Sequence, residues 1–294
     1  MLDKELLLCN FREYAEKKFS ALPAKLSFKE KANKINKCVL DYKDALVSQL
    51  DNAMPKADYL SDVMMISYVA YIVMLEFRNK AWPYEYMAFS RRIGEIWEPF
   101  CKLPFIYPAK DLVIVEPPRF EEIQSNLNKR FRDYVISLQL DDAQQHNLIK
   151  YYTEVWKLVD SGNISLSLDL HFRQDGLFYN IDYKSGFGSN EKGNTNRLLQ
   201  VGSIYTSMSS ETKSYTNLIF VRQPEDENNH YLQTLKHSPY WNVYCADDAY
   251  EQIHKFTGFN IKKWMDDNMM WMDDISIEFK KHLDSINLLT YLSW

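Results

Sequence analysis

The chain has 294 residues, 46% hydrophobic and 26% charged, with a formal net charge of −5. These proportions exclude disorder and fibrous repeats and describe a globular chain of one large domain or two modest ones. The negative balance excludes a protein that grips polyanions with its whole surface, and it leaves room for a local basic groove.

The first residues, MLDKELLLCN, place Asp3 and Glu5 ahead of a short apolar run with no small-residue cleavage site, so an intracellular, cytoplasmic protein is expected. Cys9, Cys38, Cys101 and Cys245 are far apart, without a Cys-x-x-Cys or Cys/His cluster. That pattern argues against structural zinc and predicts reduced thiols filling the core. Residues 1–110 read as a helical subdomain. Leu40, Leu46, Val47 and Leu50 recur at helical spacing, and Val63, Ile66, Ala70, Val73, Leu75 and Phe77 form a nearly all-round apolar segment. Ser67 and Glu76 interrupt that segment, which is shorter than the roughly 20 residues that span a bilayer, so it is expected to be a buried core helix and no membrane segment is expected. Pro23, Pro55, Pro83, Pro99 and Pro104 are expected helix boundaries.

Near Asp111 the texture changes. Residues 112–115 are short and β-branched, closed by Pro117 and Pro118, a strand pattern. Helices are expected over 120–138 and over 142–159, where Leu148, Ile149, Tyr152, Val155, Trp156 and Val159 share a face. After a break at Ser161-Gly162, Ile164, Leu166, Leu168, Leu170 and Phe172 alternate with Ser165, Ser167, Asp169 and His171, the period of a strand. A second alternating run covers 177–184. Helices then read over 196–208 and 230–236, strands over 218–221 and 241–246, and a last helix is capped by Asp247 and closed by Gly258. The fold class is α/β, with the α/β part over 111–294.

Asp175-Gly176 between the two alternating runs is a strong hairpin signal, because both residues tolerate the positive φ of a type I′ turn. With that tip, Phe172 faces Tyr179, Leu170 faces Ile181 and Leu168 faces Tyr183, an apolar face. On the other face His171 meets Asn180, Asp169 meets Asp182 and Ser167 meets Lys184. His171 is expected at the surface or behind a site. The two aspartates stand with β-carbons about 5 Å apart, which is destabilising for like charges without a compensator. Mg²⁺ is such a compensator, a hard ion that takes one or two carboxylates plus phosphate oxygens. Lys184 points the same way as Asp182, where its ammonium can orient a water or stabilise charge on a phosphate. Metal-assisted phosphodiester hydrolysis is the chemistry this constellation serves.

Asp169 on the first strand of a hairpin and Asp182-Tyr183-Lys184 on the next resemble the PD-(D/E)xK nuclease superfamily, which includes most type II restriction endonucleases. The resemblance covers about residues 111–258 and implies a restriction-endonuclease-like α/β/α core with a central mixed sheet. It implies that Asp169, Asp182 and the Tyr183 carbonyl hold Mg²⁺ and that Lys184 acts on the water or the developing charge. Leu168 stands where the family has its usual proline. Many members add a glutamate from a preceding helix, for which Glu154 is the candidate. Gln200 and Tyr205 are similar to a glutamine and tyrosine motif of some members, with one residue too many between them. The implied substrate is double-stranded DNA, cut by a homodimer with two-fold symmetry matching a palindromic target, beside a companion DNA methyltransferase. The N-terminal helices would then serve DNA recognition or dimerisation. The polar stretch after the hairpin is suited to phosphates and base edges, and Ser185, Asn190, Lys192, Asn194, Asn196, Arg197 and Gln200 are the expected DNA contacts.

Asp/Glu-x-Lys also occurs at Glu16, Asp41, Glu211 and Glu278, so the tripeptide alone is a poor signal, and only Asp182 has a hairpin and an opposed acid. The plainer reading is a hairpin with a polar solvent face. Residues 188–195 nearly spell a phosphate-binding P-loop, but Asn194 occupies the place of the essential lysine, and nucleotide hydrolysis is not expected. The competing functions are a repair, junction-resolving or other defence nuclease with the same site, and a non-catalytic helical interaction protein.

Overall fold

The structure is a computed structural model that describes residues 2–51, 59–159, 165–209 and 213–294. Pro55, the Ser161-Gly162 break, Ile164 and Glu211 lie outside these residues, and the side chains of Val155, Trp156 and Val159 are likewise outside the description.

Four helices come first: α1 (Lys4–Ser20), α2 (Phe28–Asp51), α3 (Leu60–Ala81) and α4 (Tyr86–Ile106). The Asp3 carboxylate caps α1 by accepting the Leu6 N–H at 3.1 Å. Ser27 and Glu30 open α2 as a capping box, each side chain accepting the other's N–H, at 3.3 and 2.9 Å. α3 is apolar on every side and packs against α1, α2 and α4, which makes it the centre of the helical layer. Its 22 residues are long and apolar enough to cross a bilayer, more than the sequence suggests, yet 89% of its most apolar window is buried inside the fold. Pro99 and Pro104, expected as boundaries, lie inside α4. Each removes a helical hydrogen bond, and the fully buried Phe100, Cys101 and Phe105 carry the helix through both.

The sheet contains β1 (Val113–Ile114), β2 (Leu170–Gln174), β3 (Leu177–Lys184), β4 (Tyr215–Val221) and β5 (Asn242–Cys245) in that spatial order. β1, β2 and β3 pair antiparallel, and β3, β4 and β5 pair parallel. The protein is therefore mixed α/β with a five-stranded mixed sheet. α5 (Phe120–Ser137) and α6 (Asp142–Val159) lie between β1 and β2 in the chain, α7 (Lys192–Met208) between β3 and β4, and α8 (His230–Lys236) between β4 and β5. Four short helices finish the chain: α9 (Asp247–Thr257), α10 (Ile261–Asn268), α11 (Trp271–Asp274) and α12 (Ile277–Ser285). Gly258 closes α9 at φ +79°, as its position predicts, while the N-cap is Ala246 and Asp247 is the first helical residue.

One sheet face, carrying Leu170, Phe172, Ile181, Tyr183 and Phe220, shares a continuous core with the N-terminal helices and with α9 to α12. That core crosses residue 110, for example where the Phe105 and Phe172 rings stand 5.2 Å apart. The other face, carrying Ile219 and Val221, is covered by Leu198, Val201 and Tyr205 of α7, by Leu232 and Leu235 of α8, and by Phe120 and Ile123 of α5. Both faces are thus buried, and the polar side of the hairpin is not a solvent face. Leu168, expected opposite Tyr183 on the first face, belongs to the second core, because the chain bends at Asp169 and β2 begins only at Leu170. Among the cysteines only Cys101 is buried. Cys9 is exposed and donates to Glu13 across one turn of α1 at 3.5 Å, so it is not the core filler its apolar neighbours suggest.

Candidate functional site

The site is built on the β2–β3 hairpin. Asp175 and Gly176 take φ +51° and +80°, the left-handed pair that a type I′ turn requires. The strands then pair as the alternation predicts, Leu170 with Ile181, His171 with Asn180 and Phe172 with Tyr179. The main chain of β3 turns alternately to its two neighbours: the Lys184 carbonyl faces β4 and accepts the Arg222 N–H at 2.9 Å, whereas Tyr183 faces β2. The next ladder pair would set Leu168 against Tyr183, but the Leu168 N–H donates instead to His171 Nε2 at 2.9 Å. Asp169 takes over, its Oδ2 accepting the Tyr183 N–H at 2.7 Å. A carboxylate therefore replaces a ladder carbonyl at the point where β2 peels away. The Tyr183 carbonyl points to the same strand edge as its N–H, beside Asp169.

Asp182 lies on the α7 side of the pleat and is only 1% exposed. Its Oδ2 stands 2.5 Å from Lys184 Nζ and its Oδ1 3.2 Å from Arg197 Nη2. Burial pushes the Asp182 carboxyl above its ordinary value, against the pull of Lys184 and Arg197, and the charge of Asp169 adds to the rise. The charge of Asp169 thus acts on Asp182, although the ladder stops at Leu170 and does not pair the two residues as expected, and two cations stand where the sequence argues for a compensating charge.

A polar row crosses the sheet beside them. His171 Nε2 is an acceptor, so Nδ1 carries the proton and donates to Asn180 Oδ1 at 2.8 Å. Asn180 Nδ2 donates to Asn217 Oδ1 at 2.8 Å, and Asn217 Nδ2 donates to the Tyr240 carbonyl at 3.0 Å. His171, expected at the surface or behind a site, is 5% exposed and stands behind the Asp169 bend. Burial pushes its pKa down, which keeps the ring neutral and Nε2 free to accept. The imidazole consequently fixes the bend that aims Asp169 at Tyr183. The alternation places His171 opposite Asn180; the onward link to Asn217 depends on the parallel β3–β4 register, which local pattern does not contain.

The remaining expected residues scatter. Glu154 is exposed on α6, and no hydrogen bond or ion pair among the described residues joins it to the hairpin. The acid beside the hairpin on an earlier helix is Glu98 of α4, paired with Lys102 at 2.5 Å, one residue from Trp97, whose ring meets Tyr183 edge-on at 5.6 Å. Arg197 reaches the acidic centre directly, and Asn194 accepts from its Nε at 3.4 Å. Ser185 is half-buried and its Oγ accepts from Arg222 Nε at 3.1 Å. Asn190, Lys192, Asn196 and Gln200 are exposed, and α7 starts at Lys192, ahead of the expected Asn196. A cavity of about 890 Å³ opens at the carboxyl ends of β3 and β4, lined there by Ser185, Gly186 and Arg222 and opposite by Arg78, Trp82 and Tyr86. Open α/β sheets hold ligands at this end of their parallel strands. α4 approaches closely here: a Cβ on Gly94 would lie 2.6 Å from Ser185 Cβ.

Among the described residues no three His, Cys, Asp or Glu side chains converge on one point. The available donors are two carboxylates and one main-chain carbonyl, an all-oxygen set that suits Mg²⁺, which completes its shell with water and phosphate oxygens. No family model, curated protein or solved structure matches the chain.

Proposed function

We propose that the chain is a Mg²⁺-dependent endonuclease that hydrolyses DNA phosphodiester bonds. The observation that supports this reading is the hairpin end itself, where Asp169 acts on Asp182 beside Lys184. The mixed sheet with helices on both faces agrees with the restriction-endonuclease-like core that the PD-(D/E)xK resemblance implies.

Asp169, Asp182 and the Tyr183 carbonyl would hold the ion. When bound, Mg²⁺ supplies Lewis acidity and a more acidic water. Asp169 is oriented for this by the Tyr183 N–H, and Asp182 must be ionised, which Lys184 and Arg197 favour against burial. Lys184, only 18% exposed at its side chain, is the cation nearest the acids and holds a water or the charge that grows on a phosphate oxygen. Arg197 is a positioning residue for Asp182. Within the class, the reading is a sequence-specific type II restriction endonuclease acting on double-stranded DNA as a homodimer, an analogy from the resemblance.

The test is digestion of defined duplex, branched and single-stranded DNA with Mg²⁺ or EDTA, beside Lys184→Ala. Discrete Mg²⁺-dependent fragments lost in the variant are the expected result. A Mg²⁺-dependent smear would keep the chemistry and reject sequence specificity, and no cleavage of any substrate would reject the nuclease reading.

A further inference from the structure

Two guanidiniums line the cavity at the strand ends without a carboxylate partner. Arg78, on α3, is 9% exposed. Its Nη1 donates to the Trp82 carbonyl, and its guanidinium lies 4.1 Å from the Tyr84 ring centroid and 4.9 Å from that of Trp82. Arg222, half-buried at the end of β4, donates to Ser185 Oγ at 3.1 Å and to the Ser293 carbonyl at 2.9 Å. Among the described residues no Asp or Glu comes within ion-pair distance of either. Glutamates also line the cavity, and Glu227 is close enough to act on Arg222 electrostatically while forming no ion pair with it. Burial lowers the pKa of both groups, the sign of cations held out of water without full compensation.

Leaving a buried cation unpaired is costly, and the compensation a guanidinium takes best is an oxyanion bound through its planar fork of donors. Beside these cations Trp82 and Tyr86 are 43% and 49% exposed, large rings offered to solvent on the same cavity wall. Exposed rings next to unpaired cations are the elements that stack a nucleobase and neutralise its phosphate. The volume of about 890 Å³ lies within the range of pockets that enclose a small ligand.

We propose that this cavity is a nucleotide-binding site, with Arg78 and Arg222 taking a phosphoryl group and Trp82 and Tyr86 stacking the base. The ligand is one phosphorylated nucleotide unit, either free or displaced from a nucleic-acid strand. This assignment stands apart from the hydrolytic reading, since binding needs neither Mg²⁺ nor Lys184.

The experiment is calorimetric titration in EDTA with adenosine monophosphate, adenosine, inorganic phosphate and a short single-stranded oligonucleotide. Adenosine monophosphate or the oligonucleotide is expected to bind, with adenosine weaker by about tenfold or more. Tighter binding of the oligonucleotide identifies the strand as the source, and tighter binding of the mononucleotide identifies a free ligand. Arg78→Gln is expected to lower affinity about tenfold. Because Arg78 is buried, Trp82→Ala serves as the second variant: it removes an exposed ring, leaves the main-chain carbonyl in place, and is expected to weaken nucleotide but not phosphate binding. Equal affinity for adenosine and its monophosphate, unchanged affinity in both Arg78→Gln and Trp82→Ala, or no binding of any probe would overturn the proposal. DNA cleavage is not read in this experiment, so it fails or succeeds independently of the nuclease reading.

Discussion

On the sheet face that carries Phe172 and Tyr183, strand contacts are ring against ring. Phe172 stacks on Tyr179 at 4.9 Å, and Tyr183 meets Trp97 and Phe220 edge-on at 5.6 and 5.5 Å. On the face that carries Asn180 and Asp182, alongside the apolar core at Ile219 and Val221, the strands exchange hydrogen bonds from His171 through Asn180 to Asn217, and Lys184 of β3 and Arg197 of α7 pair with Asp182. Apolar contact is non-directional and scales with area, so the first face supplies stability and tolerates small shifts. Hydrogen bonds are directional and a buried polar group left unpaired is costly, so the second face supplies position. The candidate chemistry lies where the positioning face ends.

Removing one element from each face tests that division. Phe172→Ala, at a side chain with no exposure, is expected to cost about 3–5 kcal/mol in denaturant unfolding. Hydrogen exchange at the Tyr183 N–H should keep its protection relative to neighbouring strand amides. Asn180→Leu is expected to cost about 1–3 kcal/mol, because His171 Nδ1 and Asn217 Oδ1 both lose their partner. Here the Tyr183 N–H should exchange faster than its neighbours, since the imidazole that fixes the Asp169 bend is no longer anchored. Equal loss of protection in both variants would erase the distinction between the faces.

The parts of this arrangement that were legible in the sequence are the local ones. The Asp175-Gly176 tip and the two-residue period contain the whole β2–β3 register, and the all-round apolar run of α3 marks it as central. What local pattern does not contain is set by contacts distant in sequence. The alternation from Leu166 to Phe172 reads as one strand, yet the capture of the Leu168 N–H by His171 bends it. Arg197 reads as a DNA contact at the start of a helix until α7 is laid on the sheet and brings it to Asp182. Glu154 is the nearest glutamate before the hairpin along the chain, whereas Glu98 is brought near it by the packing of α4 on β3. Pro99 and Pro104 read as breaks because local propensity favours a stop, and tertiary packing overrides it.

The polar face also predicts a pH signature that the apolar face lacks. His171 has its pKa depressed below the ordinary 6.5, so the unfolded chain binds more protons than the folded one in that window. Its contribution to stability is full above pH 6.5 and is lost as pH falls from there toward its folded value. Asp182, raised above the ordinary 3.8, has the opposite sign, and its ionisation costs stability as pH rises from 3.8 through its raised value. Urea unfolding is therefore expected to show stability falling as pH drops below 6.5, with a shallower fall in His171→Gln. An identical slope in the variant would remove His171 as the cause.

The smallest effect comes from the turn that joins the two faces. At Gly176 nothing lies within 4 Å of where a Cβ would stand, and φ is +80°. Gly176→Ala therefore changes no contact on either face and isolates the backbone cost of a left-handed residue, about 1 kcal/mol. Because the turn sets the register for both faces at once, the loss should appear as a shift in denaturation midpoint with unchanged slope, and with Tyr183 N–H protection falling only in proportion to global stability. A selective loss at Tyr183 would mean that the turn, rather than His171, holds Asp169 in place.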